Sequence, residues 1–128
     1  MSKKFNFLIL VLFFGLAQEV YTSQIDQSIN NHKKQFSDVA LEIWNHAEMG
    51  YQETKSSNLL ASQLEKEGFK ITNNVADIPT AFIAEYGSSG PVIGILGEFD
   101  ALPGLAQSNS PFKEVIDNGT GAGHACGH

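Results

Sequence analysis

Arginine is missing from this chain: all eight basic residues are lysines, against 14 acidic ones, for a formal net charge of −6. Nucleic-acid binders need a basic face and use arginine for phosphate and guanine contacts. That partner class is excluded. Cysteine is nearly missing too, with Cys126 alone. A lone cysteine forms no internal disulfide, so it stays free, pairs outside the chain or ligates a metal. Long apolar runs are also scarce. The longest, from Phe7 to Ala17, follows Lys3 and Lys4 and precedes the polar Gln18 and Glu19. It is shorter than the about 20 apolar residues a membrane-spanning helix needs. The order charged, apolar, polar is that of a secretory signal peptide. The small residues Gly15 and Ala17 place cleavage after Ala17, with Ser23 as a later site. The expected organisation is therefore a signal peptide over 1–17 and one incomplete domain over 18–128. The product would be exported, periplasmic or secreted, with no stable membrane span after cleavage. An uncleaved membrane anchor is the competing reading.

Two helices come first in the mature part. Phe36, Val39, Ala40, Ile43, Trp44 and Ala47 recur at intervals of three and four, predicting a helix over 25–47 with one apolar stripe and Gly50 as its stop. A second helix is predicted over 53–67, with Leu59, Leu60 and Leu64 inward. Gly68 fits the left-handed position just past its end, and Phe69 the residue that folds back onto Leu64. Strand signals follow over 69–75, 81–86 and 92–99. The last two are separated by Gly87-Ser88-Ser89-Gly90-Pro91 and read as hairpin partners. Val92, Ile93, Ile95 and Leu96 form a nearly unbroken apolar run, which suits a strand covered on both faces of an α/β sheet. A crossover helix would be expected after it. From Ala101 onward, glycine and proline leave no regular element to predict.

Two segments have the residues for chemistry. Gly97-Glu98-Phe99-Asp100 closes the predicted buried strand, where ligands collect in open α/β sheets. Solvated acidic residues at a strand end are the plainer explanation. At the far end, His124, Cys126 and His128 alternate with Ala125 and Gly127, so an extended segment would turn all three to one side. Imidazole and thiolate are the donors that zinc and similar metals take. The spacing is not that of a zinc finger, and a surface loop with incidental histidines is the competing reading. A complete site needs three or four protein ligands, more than this segment supplies.

Gly97-Glu98-Phe99-Asp100-Ala101-Leu102-Pro103-Gly104, followed by Gly121-Ala122-Gly123-His124-Ala125-Cys126-Gly127-His128, resembles the M20 metallopeptidase family. The likeness is to its amidohydrolase branch, which includes N-acyl-amino-acid, auxin-conjugate and aminobenzoyl-glutamate hydrolases. Trp44-Asn45-His46-Ala47-Glu48-Met49-Gly50-Tyr51-Gln52-Glu53 is similar to the family's amino-terminal Pro-Glu-Leu-Gly-Phe-x-Glu region, with Ala47 where proline is usual. The resemblance covers essentially everything after the signal segment. It implies the amino-terminal part of a zinc-peptidase-like α/β catalytic domain, ending inside its first metal motif. It implies Cys126 and His128 as ligands of a two-metal centre (Zn or Mn), with Asp100 as the acidic residue that supports catalysis there. His124 belongs to the motif without being expected as a ligand. Glu48 and Glu53 are read as structural, either solvated or capping. The implied reaction is hydrolysis of an amide bond in a small N-acyl or aminobenzoyl amino acid. The metals would activate a water whose proton passes to a glutamate further along the chain, in an enzyme that is a homodimer at full length. The 128 residues alone are expected to be inactive. Two other readings stay open: a small exported metal-binding protein, and an interaction module using the Phe36–Ile43–Trp44 stripe.

Overall fold

The structure, a computed structural model, describes the backbone of residues 2–125 and the side chains of residues 23–125. Two helices come first and short antiparallel strands follow, the order expected of the opening of an α/β domain. The chain divides into two units, Met1–Asp38 and Val39–His128.

Helix α1 runs over Ser2–His46. Among the described residues no helix is long and apolar enough to cross a membrane. In the first unit, Lys34 and Asp38 form an exposed i,i+4 ion pair at 2.6 Å, the kind that contributes only tenths of a kcal/mol, about 0.3–0.5. Of the predicted apolar stripe, Phe36 and Ala40 are exposed, Val39, Ile43 and Trp44 are half-buried, and Ala47 is buried. The stripe is therefore covered only toward its end. The helix stops at His46, ahead of Gly50. Ala47 turns left-handed at φ 44° while its N–H still donates to the Ile43 carbonyl at 3.2 Å.

Helix α2 (Thr54–Lys66) lies within a residue of its predicted bounds. Leu59, Leu60 and Leu64 are half-buried, but the fully enclosed positions are Ser56 and Ser57. Two polar residues occupy the inner face because their hydroxyls have partners, and Ser57 Oγ donates to the Thr80 carbonyl at 2.7 Å. The helix ends as the sequence predicts. Gly68 sits at φ +88°. Its N–H donates to Glu65 O at 3.0 Å, and the Phe69 N–H donates to Leu64 O at 3.1 Å. These two bonds satisfy carbonyls that every helix end leaves open, in the arrangement a left-handed glycine permits.

The turn delivers the chain into β1 (Lys70–Asn73), which pairs antiparallel with β2 (Phe82–Glu85), Lys70 opposite Glu85 and Asn73 opposite Phe82. A 3-10 turn at Val75–Asp77 joins them. Burial alternates along β2, with Phe82 and Ala84 half-buried and Ile83 and Glu85 exposed, as a strand with one covered face requires. Rings of Phe69 and Tyr86 lie 5.1 Å apart at the hairpin's open end.

The hairpin predicted between 81–86 and 92–99 does not form. β2 takes β1 as its partner, and residues 91–100 form no strand. Val92, Ile93, Ile95 and Leu96 are 98%, 84%, 95% and 89% exposed. A run apolar on both faces is buried only between neighbouring strands and with cover above and below; the described residues provide neither. A short pair that the sequence did not announce forms instead. β3 (Leu102–Pro103) runs antiparallel to β4 (Ala122–Gly123), extended by Gly104 N–H to Gly121 O at 2.8 Å.

Replacing Gly68 by alanine is expected to lower stability by about 1 kcal/mol, the cost of holding a Cβ at positive φ. The nearest atom to that Cβ, Tyr86 Cε2 at 3.6 Å, is an ordinary contact, so urea unfolding would report backbone strain and not a clash.

Candidate functional site

Three stretches far apart in sequence meet on three alanines. Ala47, at the end of α1, Ala101, after the acidic segment, and Ala122, in β4, are 1%, 1% and 0% exposed, with Met49 packed against them. Side chains this small let three backbones approach one another. Met49 and Ala101 form a parallel bridge, and the Ala101 N–H donates to the Glu48 carbonyl at 2.7 Å. The bridge sets the position of Asp100. Asp100 is half-buried, with Oδ2 3.9 Å from where a Cβ on Gly50 would stand. Glu98, two residues earlier, is exposed. Phe99 between them lies 6.4 Å, ring to ring, from Phe82 of β2.

The carboxylate of Glu48 caps α2. Oε1 accepts from the Lys55 N–H at 3.0 Å, and Oε2 accepts from the Ser56 N–H and hydroxyl, both at 2.9 Å. Those two N–H groups are among the four that a helix start leaves without intrahelical partners, and the positive end of the helix favours an anion there. Burial pushes the Glu48 carboxyl up. The hydrogen bonds from Ser56 and Lys55 and the charge of His46 outweigh it, leaving the group below its ordinary value. Glu53 holds the N-cap position but makes no side-chain cap bond. Only 9% exposed, it accepts from Thr80 Oγ1 at 2.8 Å instead. Of the two readings of these glutamates, capping fits Glu48, and Glu53 is a buried tie rather than a solvated group. The serine and threonine partners escaped sequence reasoning. Ser56 and Ser57 in the first turn of a helix are the only local sign of them.

The other end of the site is the approach to the histidine–cysteine motif. Asn118 closes the loop before β4, its Nδ2 donating to Ala122 O at 2.8 Å and its Oδ1 accepting from the Gly121 N–H at 3.0 Å. β4 then runs so tightly against Leu105 that a Cβ on Gly123 would collide with the Leu105 carbonyl. His124 is half-buried, with Nε2 3.1 Å from the Ile43 carbonyl and its ring 6.1 Å from that of Trp44. Cys126 and His128, the two proposed ligands, lie outside the described residues. So does the expected one-sided arrangement of the three motif side chains. Among the described residues no group of three or more histidine, cysteine or acidic side chains is placed to hold a metal. Asp100 and the motif segment are nevertheless drawn to one place, through Ala101 and Ala122.

No family model matches the chain. Individual proteins do. It is 43% identical over 111 residues to a p-aminobenzoyl-glutamate hydrolase of Escherichia coli (strain K12), covering 87% of this chain and 23% of that protein. It is 37% identical over 89 residues to the N-acetylcysteine deacetylase of Bacillus subtilis (strain 168), covering 68% of the chain and 22% of the relative. Hippurate hydrolase of Campylobacter jejuni is 28% identical over 94 residues, 73% of the chain and 24% of the relative. The chain belongs to the M20 amidohydrolase family. It spans less than a quarter of the length of these three relatives. The M20-like segment Glu48–Glu53 is thus the joint between α1 and α2, and the M20-like segment around Asp100 is docked on that joint by a backbone bridge.

Glu48 gives a pH-dependent expectation. Its carboxyl sits below the ordinary value in the folded chain, so its contribution is whole above the ordinary carboxylate pKa and lost as pH falls through the lowered one. Glu48→Ala is expected to cost about 1–2 kcal/mol at neutral pH, as lost caps do. Glu48→Gln should flatten the acid limb of a stability–pH profile measured by chemical unfolding.

Proposed function

We propose that this chain forms the amino-terminal part of the catalytic domain of an exported, metal-dependent amidohydrolase acting on N-acyl or aminobenzoyl amino acids. The observation that supports it most is the 43% identity, over 87% of the chain, to a p-aminobenzoyl-glutamate hydrolase. Residues 1–17 act as the signal peptide and are removed on export. The whole enzyme works as a homodimer.

Cys126 and His128 are the ligands this chain offers, with Asp100 as the supporting carboxylate. Thiolate, imidazole and carboxylate suit a divalent ion of the zinc or manganese kind, so the donor set fits the two-metal centre of this reading. When bound, such ions supply Lewis acidity for the amide carbonyl and a water of lowered pKa. This chain's own part is to hold and orient. The bridge between Met49 and Ala101 fixes Asp100, and β4 delivers the motif beside it. The general base comes from elsewhere. Glu48 is engaged with Lys55 and Ser56, and Glu53 with Thr80, so neither carboxylate is free to take a proton from water.

Purified whole protein that includes this segment, supplied with Zn or Mn, is expected to release the amino acid from p-aminobenzoyl-glutamate or from N-acetyl amino acids. Cys126→Ser should reduce kcat/KM by more than the about 10–100-fold typical of outer-shell changes at metal sites. Full activity in that variant would overturn the ligand assignment. Residues 18–128 alone are expected to give no turnover above a metal blank, since a catalytic site needs about three protein ligands and a base. Turnover by that piece would refute the division of labour.

A further inference from the structure

We propose that His124 is a positioning residue, latching the metal-motif segment to the last turn of α1 through Nε2–H and the Ile43 carbonyl. The proposal rests on the metal-centre reading above and gives the first histidine of the motif a role other than ligation. The two partners are 81 residues apart in sequence and 3.1 Å apart in space.

Ile43 is one of the four last residues of α1, whose carbonyls lack intrahelical partners and carry the negative end of the helix dipole. Its oxygen takes the Ala47 N–H at 3.2 Å and keeps a second lone pair for the imidazole. A carbonyl can only accept, so Nε2 is the protonated nitrogen and is closed to a metal. The Trp44 ring, 6.1 Å away and inclined by 36°, gives the imidazole an apolar wall. Immediately before it, Ala122 is fully buried and Gly123 is wedged against the Leu105 carbonyl. The backbone thus enters His124 along one path, and the side chain ties it down at once. Cys126 lies two residues further on. An outer hydrogen bond of this kind narrows the directions a ligand segment can take, which raises metal affinity without adding a donor.

The test uses Co(II) as the probe metal in the whole protein, following the cobalt–thiolate absorption and the dissociation constant by titration. His124→Gln keeps an N–H donor close to the Nε2 position but is a poor ligand. It is expected to retain wild-type affinity and spectrum. His124→Ala should weaken binding about tenfold or more, with an unchanged spectrum at saturation. His124→Leu, which keeps bulk without a donor, replaces it if the alanine variant fails to fold. Equal weakening in Gln and Ala with an altered spectrum would make His124 a ligand and overturn the latch, as would wild-type affinity in both Ala and Leu. Cys126→Ser separates the two levels: if it leaves the cobalt–thiolate band untouched, the metal centre itself is wrong and the latch falls with it.

Discussion

Glu48 is the residue on which the second unit of this chain turns. Its carboxylate closes the start of α2, and its carbonyl receives the N–H of Ala101. One side chain and one peptide group thereby join the end of α1, the beginning of α2 and the segment that carries Asp100. Few apolar contacts do this work. The buried apolar residues are Ala47, Ala101, Ala106 and Ala122, and alanine contributes little area at the roughly 25 cal/mol per Å² that apolar burial is worth. Hydrogen bonds to an anion, each worth about 1.5–3 kcal/mol, therefore decide the local geometry.

The same economy explains the polar interior of α2. Ser56 and Ser57 replace the leucines expected on its inner face, since Ser56 meets the Glu48 carboxylate and Ser57 the Thr80 carbonyl. Glu53 and Thr80 complete the link to the turn before β2. No buried side-chain polar atom among the described residues is left without a partner, so this interior avoids the penalty that unpaired buried groups incur. Meanwhile Val92, Ile93, Ile95 and Leu96 face solvent. The small core and the exposed apolar run have one physical origin: the most strongly apolar segment finds neither a strand to pair with nor a layer to cover it. A segment spanning less than a quarter of its relatives fits that picture.

The candidate site follows from the junction. Small residues at 47, 101 and 122 admit close backbone approach, and Gly123 takes it further against Leu105. Asp100 and the entry to the motif are then held by main-chain bonds, which leave side chains free for chemistry. His124 turns back onto α1.

Sequence alone determined the local features. Helix α2, its left-handed stop at Gly68 and the strand signals at 70–73 and 82–85 rest on hydrogen bonds between residues close in the chain, and short patterns encode them. The family was legible for the same reason, since its motifs are contiguous words around Glu48, Asp100 and His124. Tertiary structure alone decided which strand β2 takes as partner, that the 92–96 run stays uncovered, and that Glu48, rather than the neighbouring Glu53, caps the helix. It also brought His124 to a carbonyl 81 residues away. Each of these depends on which groups meet across long loops, and an apolar run or a lone glutamate states a need for a partner without naming it.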